Sequence, residues 1–357
     1  MVNKNLLIDL GKLKARYSGL GEMSYNFALN LVSNIRMLEE DNITVYFLLP
    51  SSYVGVFGNK IKYVPLNFFR RHFKWFLPHI DCWYAAHQDS GYMPDNRDCK
   101  FIMTIHDLNV AYHNNPQKAR LRLADIQKKI NRSNYLIANS NFTKNEVKQK
   151  LNVHDTPFKV VYCGSEDFSK IKGTKPEFLQ SHLKFFFHIS TITAKKNTKA
   201  LIEMMKLMPD KNLVIAGSWD SDYAKELIKE IEIDKLDNII RLVKVNNAEK
   251  AWLYQNCDAV FFPSLLEGFG LPVIESMFCG KPVFCSTLTS LPEIGSDKAF
   301  YWQHFEPEYM KELVEETMIS IEKNRLFPDG LKKYAETFNW TKNILQYIQL
   351  FRFLLSK

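Results

Sequence analysis

A chain of 357 residues, 46% of them hydrophobic and with no low-complexity stretch, is long enough for two domains that each build a core. Its six cysteines (82, 99, 163, 257, 279, 285) form no C-x-x-C pair and no His/Cys cluster at zinc spacing, so they read as buried thiols in a reducing compartment. The formal charge of +8 suits an anionic partner, but nucleic acid is not expected because zinc-finger spacing, an RNP motif and a recognition helix are all lacking.

Strands and helices alternate along the chain. Strands are expected at 5–10, 43–49, 61–65, 81–86, 100–105, 135–139 and 159–162, then at 184–190, 212–216, 239–245, 258–262, 282–285 and 299–302. Helical patterns such as Met23 to Glu39 and Lys199 to Met208 lie between them, which predicts parallel sheets covered by helices: an α/β chain of two Rossmann-like domains. The polar stretch Ser169 to Glu177, with Gly173 and Pro176, reads as the link. The apolar run 6–10 is too short and too soon interrupted for a signal peptide, and no stretch approaches the roughly 20 apolar residues of a membrane span. The expected location is therefore cytoplasmic.

In open parallel sheets ligands bind beyond the carboxyl ends of the strands, and unusual residues collect there. The first strand is followed by Tyr17-Ser18-Gly19-Leu20-Gly21 and a helix from Glu22. Gly19 and Gly21 would let the backbone approach phosphate, although an ordinary strand–helix turn explains them equally well. A third glycine is missing, which disfavours a dinucleotide-binding dehydrogenase. His106-Asp107-Leu108 follows the strand at 100–105. Lys195-Lys196-Asn197 follows the strand at 184–190, and two lysines at a helix start are unfavourable there unless an anion is near. Asp220-Ser221-Asp222 spells D-x-D, but Asp and Ser after a strand are more often turn formers and caps, so no metal is expected. Leu66 to Leu77 is amphipathic, with Phe69, Phe73, Phe76 and Leu77 on one side and Arg70, Arg71 and Lys74 on another. It reads either as a helix packed on the first sheet or as an interfacial helix resting on anionic lipid.

The most informative run is Glu267-Gly268-Phe269-Gly270-Leu271-Pro272-Val273-Ile274-Glu275. The strand at 258–262 enters it, and a helix from Pro272 to Cys279 leaves it, stopped by Gly280. Gly268 to Leu271 would aim backbone N–H groups at open space, a phosphate cradle with a carboxylate on each side.

This run resembles the E-x7-E signature of family 4 retaining glycosyltransferases, enzymes of the two-domain GT-B fold whose Rossmann-like domains face a central cleft. The resemblance covers most of the chain, and His106-Asp107-Leu108 is similar to the family's H-D-L. It implies an acceptor-side domain at 1–170, a nucleotide-sugar domain at 171–335 and a helix at 336–357 that crosses back to the first. Glu267 is then expected to lie by the donor sugar and stabilise positive charge on its ring, with His106 holding sugar oxygens. Glu275 is expected to bind the ribose, while Lys196 and the 268–271 amides hold the diphosphate. Lys195 stands where arginine is frequent and cannot make a planar bidentate contact.

The implied reaction moves a sugar from a nucleotide sugar to a glycan or lipid-linked acceptor, with retention and without a metal or other cofactor. Bacterial surface-polysaccharide synthesis, including O-antigen and lipopolysaccharide, is the setting expected, on the inner face of the cell membrane if 66–77 touches lipid. The alternatives are a nucleotide-sugar epimerase or hydrolase on the same fold, and a non-catalytic GT-B subunit.

Overall fold

The computed structural model describes residues 3–356 apart from Tyr17, residues 68–76, Phe178, Ser181 and Arg325. The chain divides into two compact units, Met1–Gly164 with Trp340–Lys357, and Ser165–Asn339.

The first unit is built on β1 (Lys4–Asp9), β2 (Ile43–Leu49), β3 (Lys62–Pro65), β4 (Cys82–Ala85), β5 (Lys100–Ile105), β6 (Tyr135–Ala138) and β7 (Phe158–Val160). All pair in parallel, in the order β3-β2-β1-β4-β5-β6-β7. Strands covered on both faces need continuous apolar runs, and β2 (Ile-Thr-Val-Tyr-Phe-Leu-Leu) and β4 (Cys-Trp-Tyr-Ala) supply them. Among the helices, α1 (Gly19–Ser33), α2 (Pro116–Arg132) and α3 (Asn141–Lys150) bear on the site. The terminal helix Trp340–Leu355 packs in this unit, with Tyr347 edge-on to Phe27 of α1 at 5.1 Å.

The helical pattern expected from Met23 to Glu39 is α1 followed by a separate turn at Arg36–Glu39. Ser18 caps the start, its hydroxyl accepting from the Gly21 N–H, so helix begins four residues earlier. At the other end Asn34 donates its amide to the Asn30 carbonyl and leaves helical geometry.

The second unit holds β8 (Phe185–Ile189), β9 (Asn212–Ala216), β10 (Ile239–Leu242), β11 (Ala259–Phe262), β12 (Val283–Ser286) and β13 (Phe300–Trp302). They pair in parallel in the order β10-β9-β8-β11-β12-β13. Helices α4 (Thr198–Lys206), α5 (Asp222–Ile233), α6 (Asn247–Asn256) and α7 (Leu271–Phe278) follow β8 to β11 in turn. Their apolar faces, such as Leu201, Met204 and Met205 of α4 and Leu227 and Ile231 of α5, meet the sheet in one core. Among the described residues, thirteen strands fall where the apolar runs predicted them.

The boundary between the units lies at Gly164 and Ser165, and the polar stretch 169–177 packs into the second unit rather than spanning as a link. Thr174 donates to the Ala248 carbonyl at 3.0 Å. Gly173 lies so near α6 that a Cβ there would meet the Trp252 Cα at 2.9 Å. The amphipathic segment 66–77 falls almost wholly outside the described residues. Among those described, no helix is long and apolar enough to cross a membrane.

In each sheet the strand order reverses once, between β1 and β4 and between β8 and β11. Connections leave on opposite faces there and open a crevice beyond the strand ends, so these two points position the candidate sites.

Candidate active site

In the second unit, the loop after β8 and the loop after β11 flank the reversal. The chain leaves β8 through Ser190 and makes a short 3-10 turn, Ala194–Lys196, ended by Asn197 in the left-handed region (φ 53°). The two adjacent lysines face differently: Lys195 is exposed, while Lys196 is turned inward over the Phe262 ring at 5.5 Å. Its ammonium forms an ion pair with Glu267, both side chains being mostly buried. The Lys195 carbonyl accepts from the Leu265 N–H (2.8 Å) and the Ser264 hydroxyl (3.1 Å), which ties the two loops together.

Beneath them lies a residue that no sequence pattern singles out. His188 is fully buried in β8; its Nδ1 donates to the Phe261 carbonyl and its Nε2 accepts from the Ser190 hydroxyl, each at 2.8 Å. Burial lowers its pKa to about 4, so the ring is neutral and its tautomer is set by these partners.

The run from Glu267 to Glu275 forms a loop and α7. The Ser290 hydroxyl donates to the carbonyls of Glu267 and Phe269, and the Glu267 N–H donates to Thr289, so the turn is held from below. Gly270 sits at φ 102°, and a Cβ there would meet Leu291 at 2.6 Å; only glycine fits. Phe269 is a buried anchor, its ring edge-on to Phe338 at 5.9 Å. Gly268 is buried and Leu271, the first residue of α7, is half-buried.

Glu275 lies on the inner face of α7, only 3% exposed. Lys250 of α6 donates to its Oε1 at 2.9 Å and the Tyr254 hydroxyl to its Oε2 at 2.6 Å. Lys250 also lies over the Phe168 ring at 4.6 Å. Burial, reinforced by the Glu275 charge, raises the Tyr254 pKa well above the usual phenol range, so it remains a donor. Each carboxylate oxygen thus carries one protein donor and keeps a second acceptor position, the requirement for taking two vicinal hydroxyls. The signal for Lys250 was present in sequence: a lysine four residues before a tyrosine on the apolar face of a helix.

Asp220-Ser221-Asp222 begins a helix. The Ser221 hydroxyl accepts from the Ala224 N–H at 3.0 Å as N-cap of α5, and Asp222 is almost fully exposed.

In the first unit, Asp9 ends β1, His87 lies just past β4 and His106 just past β5, side by side at the other reversal. The Asp9 carboxylate is buried, accepting from the Gly11 N–H at 2.8 Å and from the Ser90 hydroxyl; burial raises its pKa. Gln88 bridges the strand ends, accepting from the His106 N–H at 3.0 Å and donating to the Asp107 carbonyl at 2.9 Å. Lys129 of α2, buried against them, donates to the Gln88 carbonyl and to Asp125, each at 2.7 Å. The rings of His87 and His106 stack at 5.3 Å with 17° between their planes. Burial is the main cause that lowers both pKa values, so both rings are neutral near pH 7.

Gly19 and Gly21 separate into different roles. A Cβ at Gly19 would meet nothing within 4 Å, whereas one at Gly21 would lie 2.0 Å from the Ala15 carbonyl oxygen, so Gly21 allows α1 to pack on its own loop. An open depression of about 420 Å³ lies beside them, lined by Leu13, Lys14, Arg16, Ser52 and Tyr53 among others.

All six cysteines are free thiols, five buried and Cys279 partly so. Among the described residues, no group of three or more His, Cys, Asp or Glu side chains could hold a metal ion.

Two parallel Rossmann-type sheets with polar residues at each reversal define the class of GT-B glycosyltransferase folds. Solved structures agree over nearly the whole chain: sucrose-phosphate synthase from Thermosynechococcus elongatus has a TM-score of 0.77 and 14% identity, covering 99% of this chain and 100% of that one. The Anabaena protein HepE in complex with UDP-glucose gives 0.71 at 17% identity, covering 98% and 99%. WaaG, a glycosyltransferase involved in lipopolysaccharide biosynthesis, gives 0.70 at 13%, covering 97% and 99%. The model of Glycosyltransferase Family 4 matches residues 39–166 and that of Glycosyl transferases group 1 matches residues 170–338. Both models describe glycosyltransferases, and the two matches lie one after the other along most of the chain.

Among curated relatives, the O-antigen chain mannosyltransferase B of Escherichia coli is 26% identical over 234 residues, 60% of each chain. The O-antigen chain mannosyltransferase RfbU of Salmonella typhimurium is 26% identical over 204 residues, 56% of this chain and 55% of its own. The match thus spans little more than half the length of these relatives.

Proposed function

We propose that this protein transfers a hexosyl group, mannosyl or similar, from a nucleotide sugar to a glycan or lipid-linked acceptor of a surface polysaccharide, with retention at the anomeric carbon. The observation that carries this reading is the meeting of Lys196, Glu267 and the start of α7 at the β8/β11 reversal, with Glu275 one turn further along α7. A cation, a helix start and a buried carboxylate with spare acceptor positions match the three parts of a nucleoside diphosphate sugar: diphosphate, leaving oxygen and ribose. The resemblance of 267–275 to the E-x7-E signature supports the same assignment.

In this reading the bond from the anomeric carbon to the diphosphate oxygen breaks as the acceptor oxygen bonds to the same face. The acceptor proton passes to the departing diphosphate. Lys196 and the amides at 268–271 hold the charge that grows on the leaving oxygens, which stabilises the transition state more than the ground state. Glu267 stands by the sugar ring, where positive charge develops. His106, held neutral, accepts from a sugar hydroxyl. No protein nucleophile takes part. Gly19, which faces open space beside the depression at Lys14 and Arg16, is the first unit's candidate backbone contact for the nucleotide sugar or the acceptor.

A thermal-shift titration with UDP, GDP, ADP and dTDP tests the reading, since a ligand that binds only the folded state raises stability with the logarithm of its concentration over Kd. One nucleotide should shift the wild type and shift Glu275→Gln much less. Equal shifts in both proteins would remove Glu275 from the ribose, and no shift at millimolar nucleotide would leave only a non-catalytic role.

A further inference from the structure

Past the ends of β1, β4 and β5, most polar groups of the cluster are joined to one another. Asp9, Ser90, Gln88 and Lys129 all have partners. His87 is different. Its Nδ1 accepts from the Asp89 N–H at 2.9 Å, which fixes the neutral ring as the Nε2–H tautomer. That Nε2–H is buried and meets no acceptor, in a side chain only 5% exposed. An orphaned buried donor is costly and rare, and it asks for the acceptor that completes it.

The stacked ring is complementary. His106 Nε2 lies 2.8 Å from the Ala86 carbonyl, which can only accept, so Nε2 carries the proton and Nδ1 is left as a lone pair. Two neutral imidazoles, one ring-stacked on the other, thus offer one donor and one acceptor of opposite sense. A hydroxyl can satisfy either, and a polyol can satisfy both at once. A phosphate or carboxylate would satisfy only the donor. Charges facing the pair come from Lys12 after β1, Lys129 of α2, and Asp89 and Asp107 on the adjoining loops.

We infer that His87 is a second sugar ligand of the first unit, its Nε2–H and the Nδ1 lone pair of His106 forming a donor–acceptor subsite for the hydroxyls of a neutral hexose. This rests on the transferase reading above and adds a residue to it. The hexose is that of the donor or of the acceptor.

The experiment separates these sources. Calorimetric titrations of UDP, GDP, UDP-glucose and GDP-mannose into wild type, His87→Phe and His87→Gln are joined to steady-state kinetics. Phenylalanine keeps the stacked ring and removes the donor; glutamine restores an N–H. For a donor-sugar subsite, His87→Phe weakens the sugar nucleotide about tenfold, the scale of one hydrogen bond, and leaves the free nucleotide within about twofold. His87→Gln then recovers part of the loss. For an acceptor-sugar subsite, donor affinity is unchanged and the acceptor KM rises about tenfold. If neither quantity moves, the inference is overturned.

Wild-type protein with ¹⁵N-labelled histidine, titrated with methyl α-mannoside and methyl α-glucoside, gives a readout that needs neither folding of a variant nor turnover. The His87 Nε2 resonance should shift, and no shift with any sugar overturns the subsite. If no nucleotide binds the wild type, the transferase reading falls, while this titration still decides for or against the subsite.

Discussion

The two sheets share one strand order, yet their reversal points are furnished in opposite ways. Beyond β8 and β11 the side chains are charged and joined in ion pairs, Lys196 with Glu267 and Lys250 with Glu275. At the β1/β4 reversal and the neighbouring end of β5 two neutral imidazoles stack beside the buried Asp9 carboxylate, backed by Gln88 and Lys129. A strand order shared over six strands therefore dictates where a ligand lies and leaves its chemistry to the loops. The charged end suits a diphosphate and the neutral end suits hydroxyls.

That contrast can be broken most forcefully at Lys250. Replacing it by methionine leaves Glu275 buried beside a phenol with no cation, and losing one partner of a buried pair costs about 3–5 kcal/mol. Urea unfolding should show this loss, with much of it recovered in the double variant Lys250→Met/Glu275→Leu. A single-variant loss under about 1 kcal/mol would show that the pair is effectively solvated. Next comes Glu267→Gln, which keeps the shape and removes the charge. Its kcat should fall about 10²–10³-fold with nucleotide affinity nearly kept, and an unchanged kcat would take Glu267 out of the chemistry.

A pH series sharpens the neutral side. His188 is protonated in the unfolded chain below its ordinary pKa of 6.5, but in the folded protein only near 4. Between those values the unfolded state binds more protons, so stability is full above about pH 6.5 and declines as pH falls. His188 alone accounts for about 3 kcal/mol by pH 4. His87 and His106, shifted the same way, steepen the decline. Urea midpoints at pH 7.5, 6 and 5 measure it: His188→Gln should flatten the slope, and a flat wild-type profile would show that these rings are not buried neutral. The smallest effect is at the D-x-D: Ser221→Ala should cost about 1 kcal/mol of stability as a lost helix cap and leave turnover unchanged.

Much of the second unit was legible because its chemistry is contiguous. Gly268 to Pro272 names a turn and a helix start in one run, and Lys196 follows a strand directly. Lys250 was missed because its partner lies 25 residues away, and charge on an apolar helix face looks like an interruption until that partner is seen. In the first unit, His106 was visible at a strand end, whereas His87 acquires meaning only from the stacked ring and the Asp89 N–H. Glycine patterns were the least specific evidence, since Gly19 faces open space and Gly21 serves packing. Where α1 starts was decided by the Ser18 cap, a local signal outweighed in the sequence by the apolar pattern beginning at Met23.

The neighbouring placement of β8 and β11 bears on how the protein is made. Lys196 and Glu267 are 71 residues apart, and β9 and β10 are added to the other side of β8 before β11 arrives. At a synthesis rate of about 5–20 residues per second, the inner edge of β8 waits roughly 4–14 s on the ribosome for its partner. During that interval Phe185 to Ile189 is an apolar strand with open hydrogen-bonding groups, the kind of edge that captures other chains. The site that would hold the diphosphate thus cannot form until β11 has closed on β8, and until then its central strand is an edge exposed to capture.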